Sequence, residues 1–402
     1  MKNSFALFFL SPLLGVIQAF KHYKEDWAKN SIWLFVIYYG FTMYRPQTMD
    51  SSGYVAKLVK LHNAQVNWNM FTTSFYSEDS NIVDIYEPLI TFALSLFTDN
   101  GNILFAVFGL VYGYFFSRNI WMVIDLSQGK RVDKGFWILI VTFICSLGYW
   151  NLNGVRMWTA AHIFFYGAFH YLVYNRKKGL LFAVSSVLVH FSFIIPVGVF
   201  VLFALFRIPW RILYFGYLAS FFVSSLNIES LKSRLESVAP AFLLPKVESY
   251  TNDEYAELIS DMNESANWYI KYYIKALMWA ITLLFTFIYF SKEKNFKDDK
   301  ALSNLFGFSL LILTLGNISS ILPSGGRYLV VGHLFALATL VFFYIRIGNL
   351  KYRYWVNMLS VVFIFFVIIN IRISLETTSV MTIFGNPIFA AIFDISIPIV
   401  GV

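Results

Sequence analysis

Residues 135–174 read GFWILIVTFICSLGYWNLNGVRMWTAAHIFFYGAFHYLVY. Two apolar runs, 135–150 and 157–174, flank a short polar turn, NLNGVR, at 151–156. Each run approaches the roughly 20 residues that carry a helix across a bilayer. Asn151, Asn153 and Gly154 are turn formers, so the stretch reads as two spans joined tightly at one membrane face. Inside hydrocarbon a helix is the form that satisfies every backbone polar group within its own segment.

The same reading extends outward in both directions. Apolar runs recur at about 4–20, 31–44, 102–118, 179–195, 197–206, 212–226, 267–290, 301–321, 328–345 and 354–371. The chain has 402 residues, 58% hydrophobic and 13% charged, against about 25% charged in a soluble domain. The fold class expected is an all-α polytopic integral membrane protein, one membrane domain over 1–402, with about twelve passes. The first run, FALFFLSPLLGVIQAF, lacks a basic leader and a small-residue cleavage site and reads as a retained span. Stretch 179–206 is either one long tilted helix or two short segments meeting near Pro196. YEPLITFALSLFT, 86–98, is too short to cross and reads as a shallow or re-entrant helix. The C-terminal MTIFGNPIFAAIFDISIPIV, broken by Gly385, Pro387 and Pro398, is expected to lie on the outer face.

Charge sets the orientation. Most of the 31 Lys and Arg fall in the short loops 21–30, 118–134, 176–178, 207–211, 291–300 and 346–353. By the positive-inside rule these share the cytoplasmic face, with both termini outside. Two long loops remain for the outer face, 45–85 and 227–266; the second carries eight acids against three bases. The net charge of +8 is spread over many loops, which argues against nucleic acid as a partner. A lone cysteine, Cys145, excludes an internal disulfide, and no histidine spacing forms a metal-ligand set.

Three arginines depart from the charge rule. Arg45, Arg156 and Arg327 each stand at a span end on the opposite face. Arg156 and Arg327 each follow a turn and open a helix, where free N–H groups and the positive dipole end point the same way. A phosphate there would gain a bidentate guanidinium as well. The competing reading is snorkelling of an interfacial arginine to water. In PSGGRY, Pro323 is expected to end one helix and Gly325–Gly326 to supply positive φ. Arg45 stands in R-x4-D-x3-Y with Asp50 and Tyr54, and taken by itself Asp50 reads as its local ion-pair partner. Asp50 and Glu87 are candidate general bases, with Asp84 ranked below them. His190, in VLVHFSFIIP with Ser192 two residues on, is either a base or a histidine bonded to a neighbouring helix.

This combination resembles the EpsG/Wzy-type polysaccharide (O-antigen) polymerases over most of 1–345. The likeness is carried by R-x4-D-x3-Y, YEPLITFALSLF, the N-x2-R turn, NRKK, the His-x-Ser span and the GGRY turn, in that order. It implies an inverting, metal-independent glycosyltransferase of the bacterial inner membrane, needing no cofactor and facing the periplasm. Such an enzyme moves a growing glycan from undecaprenyl pyrophosphate to the non-reducing end of a lipid-linked repeat unit, beside a flippase and a chain-length regulator. The resemblance makes Arg156 and Arg327 the donor pyrophosphate ligands and Asp50, Glu87 or His190 the proton acceptor. Arg45, Tyr54, Asn153, Tyr328 and Ser192 are then expected to bind substrate. Two other classes stay open on the residues alone: a lipid-linked oligosaccharide flippase, and another user of lipid phosphate such as an O-antigen ligase or an acyltransferase.

Overall fold

The computed structural model describes residues 7–76, 84–206, 208–222, 267–291, 298–320, 325–347, 349–393 and 397–399, together with Phe296 and Leu322. Among these residues there is no strand, only an isolated bridge between Ser379 and Pro398. The helices are α1 (Pro12–Lys21), α2 (Asp26–Thr42), α3 (Asp50–Asn63), α4 (Trp68–Tyr76), α5 (Tyr86–Ser95), α6 (Gly101–Asp125), α7 (Lys134–Ser146), α8 (Val155–Tyr174), α9 (Lys178–Val189), α10 (Ile194–Phe206), α11 (Trp210–Ser220), α12 (Trp268–Phe290), α13 (Lys300–Ser319), α14 (Arg327–Arg346), α15 (Leu350–Met358), α16 (Ser360–Ser374), α17 (Val380–Phe384) and α18 (Pro387–Ile392). Two 3-10 turns, Tyr149–Gly154 and Phe191–Phe193, complete the described elements.

Among the described residues, five helical stretches are long and apolar enough to cross a membrane, or six if the bent pair α15–α16 is one span. That is compatible with a multi-pass membrane protein; about twelve passes is more than these lengths support. One of the five, Lys134–Tyr174, is not straight. The rings of Phe143 and Phe165 lie 5.5 Å apart, whereas a straight helix would separate those residues by roughly 33 Å. Tyr112 repeats the observation: its hydroxyl donates to Gly148 O (2.6 Å) while its ring meets that of His162 at 4.8 Å. The stretch is therefore a hairpin, α7 and α8, with the 3-10 turn and Arg156 at its tip.

Stretch 179–206 resolves into two short helices. The break falls at His190–Phe193, just ahead of Pro196. Pro196 sits in the first turn of α10, where its missing N–H costs nothing. With 12 and 13 residues, α9 and α10 each rise only roughly 18–20 Å, short of the roughly 30 Å hydrocarbon core. α9 is drawn tightly onto α8 by two glycines. A Cβ on Gly167 would lie 2.3 Å from Ala183 N, and one on Gly179 would lie 2.4 Å from Gly167 O.

The expected first outer loop, 45–85, is largely helical. α3 and α4 occupy most of its described part, fastened to the short helix α5 by Lys57–Glu87 and by stacked Phe71 and Phe92. The second expected loop, 227–266, lies outside the described residues. The C-terminal helices α17 and α18, of 5 and 6 residues, are too short to cross. They and the preceding turn close over the end of α2: Tyr38 donates to Met381 O, Tyr39 to Thr377 Oγ1, and Tyr44 N to Thr377 O.

The bundle has two distinct ends. At one, basic loops meet: Lys24 Nζ reaches Gly129 O, Trp121 Nε1 donates to Tyr23 O, Arg353 pairs with Asp133 (2.8 Å) and Arg346 with Asp299 (3.7 Å). Asp133 and Asp299 also cap the starts of α7 and α13. α8 and α14, 20 residues each, begin at the other end, about 30 Å away.

Candidate functional site

A cavity of about 290 Å³ opens at the end opposite the basic loops. Its wall is assembled from five separate pieces of chain. The start of α3 contributes Asp50 and Tyr54, and the tip of the α7–α8 hairpin contributes Asn153 and Arg156. His190 comes from the α9–α10 break, Arg327 from the first residue of α14, and Glu376 from the turn after α16. Trp150, Trp158, Met49 and Met157 supply apolar wall between the polar groups.

Arg156 and Arg327 thus share one cavity. Neither helix that they open carries a side-chain cap, so the dipole end and first-turn amides meet no capping oxygen from Gly154 or Gly326. The turn before Arg327 works differently from the sequence expectation. Gly326 has φ −57°, and Gly129 is the glycine with positive φ among the described residues. What Gly325 provides is space: a Cβ there would stand 1.7 Å from Ser319 O. Pro323 lies outside the described residues.

Arg156 is not a bare cation. Its Nη1 meets Asp84 Oδ2 at 2.8 Å, and its Nε donates to the Tyr54 hydroxyl at 3.4 Å. Asp84, with a side chain only 3% exposed, also takes His190 Nδ1 on Oδ2 (2.9 Å) and the Phe191 amide on Oδ1 (2.7 Å). Burial pushes the Asp84 carboxyl up. The hydrogen bond and charge of His190, the Phe191 amide and Arg156 outweigh it and hold the group below its ordinary value. Burial raises the Tyr54 hydroxyl, against the pull of Arg156. Arg327 is exposed and has no carboxylate partner among the described residues.

The other expected site residues divide. Asp50, Tyr54 and Asn153 line the cavity; Asn153 Oδ1 also accepts the Ser51 amide at the start of α3 (3.4 Å). Tyr328 and Ser192 support it from behind: the Tyr328 hydroxyl donates to Ser192 O at 2.9 Å, tying α14 to the α9–α10 break. Glu87 is buried against α3, where it accepts from Lys57 (3.1 Å) and Thr91 (3.0 Å), and it does not line the cavity. Arg45 is also elsewhere, bonded to Asn102 Oδ1 with its guanidinium over the Phe105 ring.

Sequence reasoning ranked Asp84 too low and did not single out Glu376. Glu376 is an acid just past a candidate span on the arginine side, the signal that had selected the arginines, whereas Asp84 sits in the first expected loop, two residues before α5. Asp50 and Glu376 make the cavity mixed in charge, two guanidinium groups facing two carboxylates. Such a site offers fixed donors to an anion and fixed acceptors to hydroxyl groups. Among the described residues no three His, Cys, Asp or Glu side chains are grouped to hold a metal ion. Set against known protein families, curated proteins and solved structures, the chain matches none.

Proposed function

We propose that the chain is a membrane glycosyltransferase acting on lipid-linked glycans, a repeat-unit polymerase that uses undecaprenyl pyrophosphate as the leaving group. The observation that supports it is the meeting of Arg156 and Arg327, from two unrelated turns, in one cavity at the end away from the basic loops. Snorkelling needs no such convergence, since each arginine would reach its own headgroup region. In this reading the two guanidinium groups take the donor pyrophosphate and its growing charge, a form of preorganised electrostatic stabilisation. The carboxylates of Asp50 and Glu376 accept hydrogen bonds from the acceptor sugar.

The basic end faces the cytoplasm in this reading and the cavity faces the periplasm. A flippase is less well served by a site at one end of the bundle, because transporters hold substrate near the midplane. An O-antigen ligase would use the same donor, and the product separates the two. Cells expressing Arg156→Ala or Arg327→Ala are expected to insert the chain normally and to carry surface glycan of one repeat unit. Arg→Lys is expected to impair growth of the glycan too, since lysine lacks the planar fork. Long chains persisting with both arginines replaced would sink the anion-site idea. Full-length lipid-linked chains that are not passed onward would indicate the ligase instead.

A further inference from the structure

Three groups in and around the cavity could take a proton from an acceptor hydroxyl: Asp50, Glu376 and His190. Only His190 has its ring fixed by a second, buried side chain. Its Nδ1 faces Asp84 Oδ2 at 2.9 Å, and an ionised carboxylate accepts, so Nδ1 carries the hydrogen. With that nitrogen committed, Nε2 is left as the ring's acceptor, and His190 lines the cavity. Asp84 is itself held, by the Phe191 amide on its other oxygen and by Arg156.

We propose that Asp84 is a positioning residue that fixes His190 as the proton acceptor and, through the same oxygen, ties it to the anion-binding Arg156. The proposal rests on the glycosyltransferase reading. The acceptor hydroxyl oxygen forms a bond to the donor's anomeric carbon as the anomeric C–O bond to pyrophosphate breaks. The electron pair leaves with undecaprenyl pyrophosphate, facing Arg156 and Arg327. The hydroxyl proton passes to His190 Nε2, and the imidazolium formed is stabilised by Asp84 until the proton is lost to water. Because Asp84 touches both groups, the pair keeps one spacing whichever substrate arrives. The charged and titratable groups around His190 are Asp84 in contact and Arg156 on the same Asp84 oxygen, with Asp50, Tyr54, Arg327 and Glu376 around the cavity.

The test uses the full chain in vesicles of bacterial phospholipid, supplied with lipid-linked units extracted from cells that lack it. His190→Gln is expected to slow chain growth by about 10²–10⁴-fold while undecaprenyl pyrophosphate is retained as in the wild type. Asp84→Asn is expected to slow it comparably, the double substitution to be no slower than the worse single one, and Asp84→Glu to restore part of the rate. The wild-type rate should rise with pH along an acidic limb that is absent in His190→Gln. A second readout does not need turnover. In ¹⁵N-histidine NMR the His190 signal, assigned by its loss in His190→Gln, should show protonated Nδ1 and bare Nε2, and Asp84→Asn should abolish that preference. Protonation at Nε2, an unchanged tautomer in Asp84→Asn, or a wild-type rate in His190→Gln each overturns the proposal. No chain growth by the wild type alongside an intact Nδ1–H tautomer overturns the polymerase reading and the proton step resting on it, and leaves the positioning of His190 by Asp84 standing.

Discussion

Replacing Asp84 by Ala removes three hydrogen bonds at once: the Phe191 amide at 2.7 Å, His190 at 2.9 Å and Arg156 at 2.8 Å. Hydrogen bonds to charged groups contribute about 1.5–3 kcal/mol each. The Arg156 side chain is 42% exposed, so its share falls to roughly 0.5–1 kcal/mol by solvent screening. The three together stabilise by roughly 3.5–7 kcal/mol before the relief of desolvating a buried carboxylate is subtracted. That relief is partial, and a net loss of about 2–3 kcal/mol is expected, below the 3–5 kcal/mol typical of a fully buried pair. The sign with pH follows from the lowered Asp84 carboxyl. Its stabilising contribution is complete above the unfolded carboxylate value of about 4 and disappears as pH falls through the lower folded value. Thermal unfolding of the detergent-solubilised chain, followed by fluorescence at pH 7 and again near pH 3, measures both. Asp84→Ala as stable as the wild type at pH 7 would refute the reasoning. So would a deficit that stays the same size near pH 3.

Three further outcomes follow from the contacts. Arg156→Ala removes the guanidinium partner of the buried Asp84 carboxylate and should lower the unfolding temperature, whereas exposed Arg327→Ala should change stability by less than about 0.5 kcal/mol; equal losses would contradict the difference in their surroundings. Gly167→Val drives a side chain into the α9 backbone and should cost about 1–3 kcal/mol and disturb the His190–Asp84 contact, read by the same unfolding assay and by the His190 tautomer. In a background with the buried Cys145 replaced by Ala, Asn151→Cys and Lys130→Cys should react with a membrane-impermeant maleimide from opposite sides of sealed vesicles; labelling of both from one side would overturn the two-ended arrangement.

The residue that best separates sequence from structure is Asp84. The cation near the start of α8 meets an anion that the protein supplies itself, from 72 positions away. Nothing local to Asp84 announces this, because the partner is set by where α5 packs. Glu87 shows the reverse. Its place at the start of a shallow helix looked chemical, yet Lys57 and Thr91 consume its oxygens at the contact between α3 and α5. Arg45 shares the motif spacing of a site residue and is turned instead toward Asn102.

Long apolar runs, short basic loops and the NLNGVR turn were enough to establish helices, the hairpin at 135–174 and the two ends of the bundle. Those features follow from local chemistry: a backbone without water closes its own hydrogen bonds, and charge stays out of hydrocarbon. The cavity depended on packing. It brings together α3, the hairpin tip, the His190 break, the start of α14 and Glu376, from five separate pieces of the chain. Which acid meets which arginine is settled by distances between helices far apart in the chain, and residue type and spacing along one segment do not encode those distances.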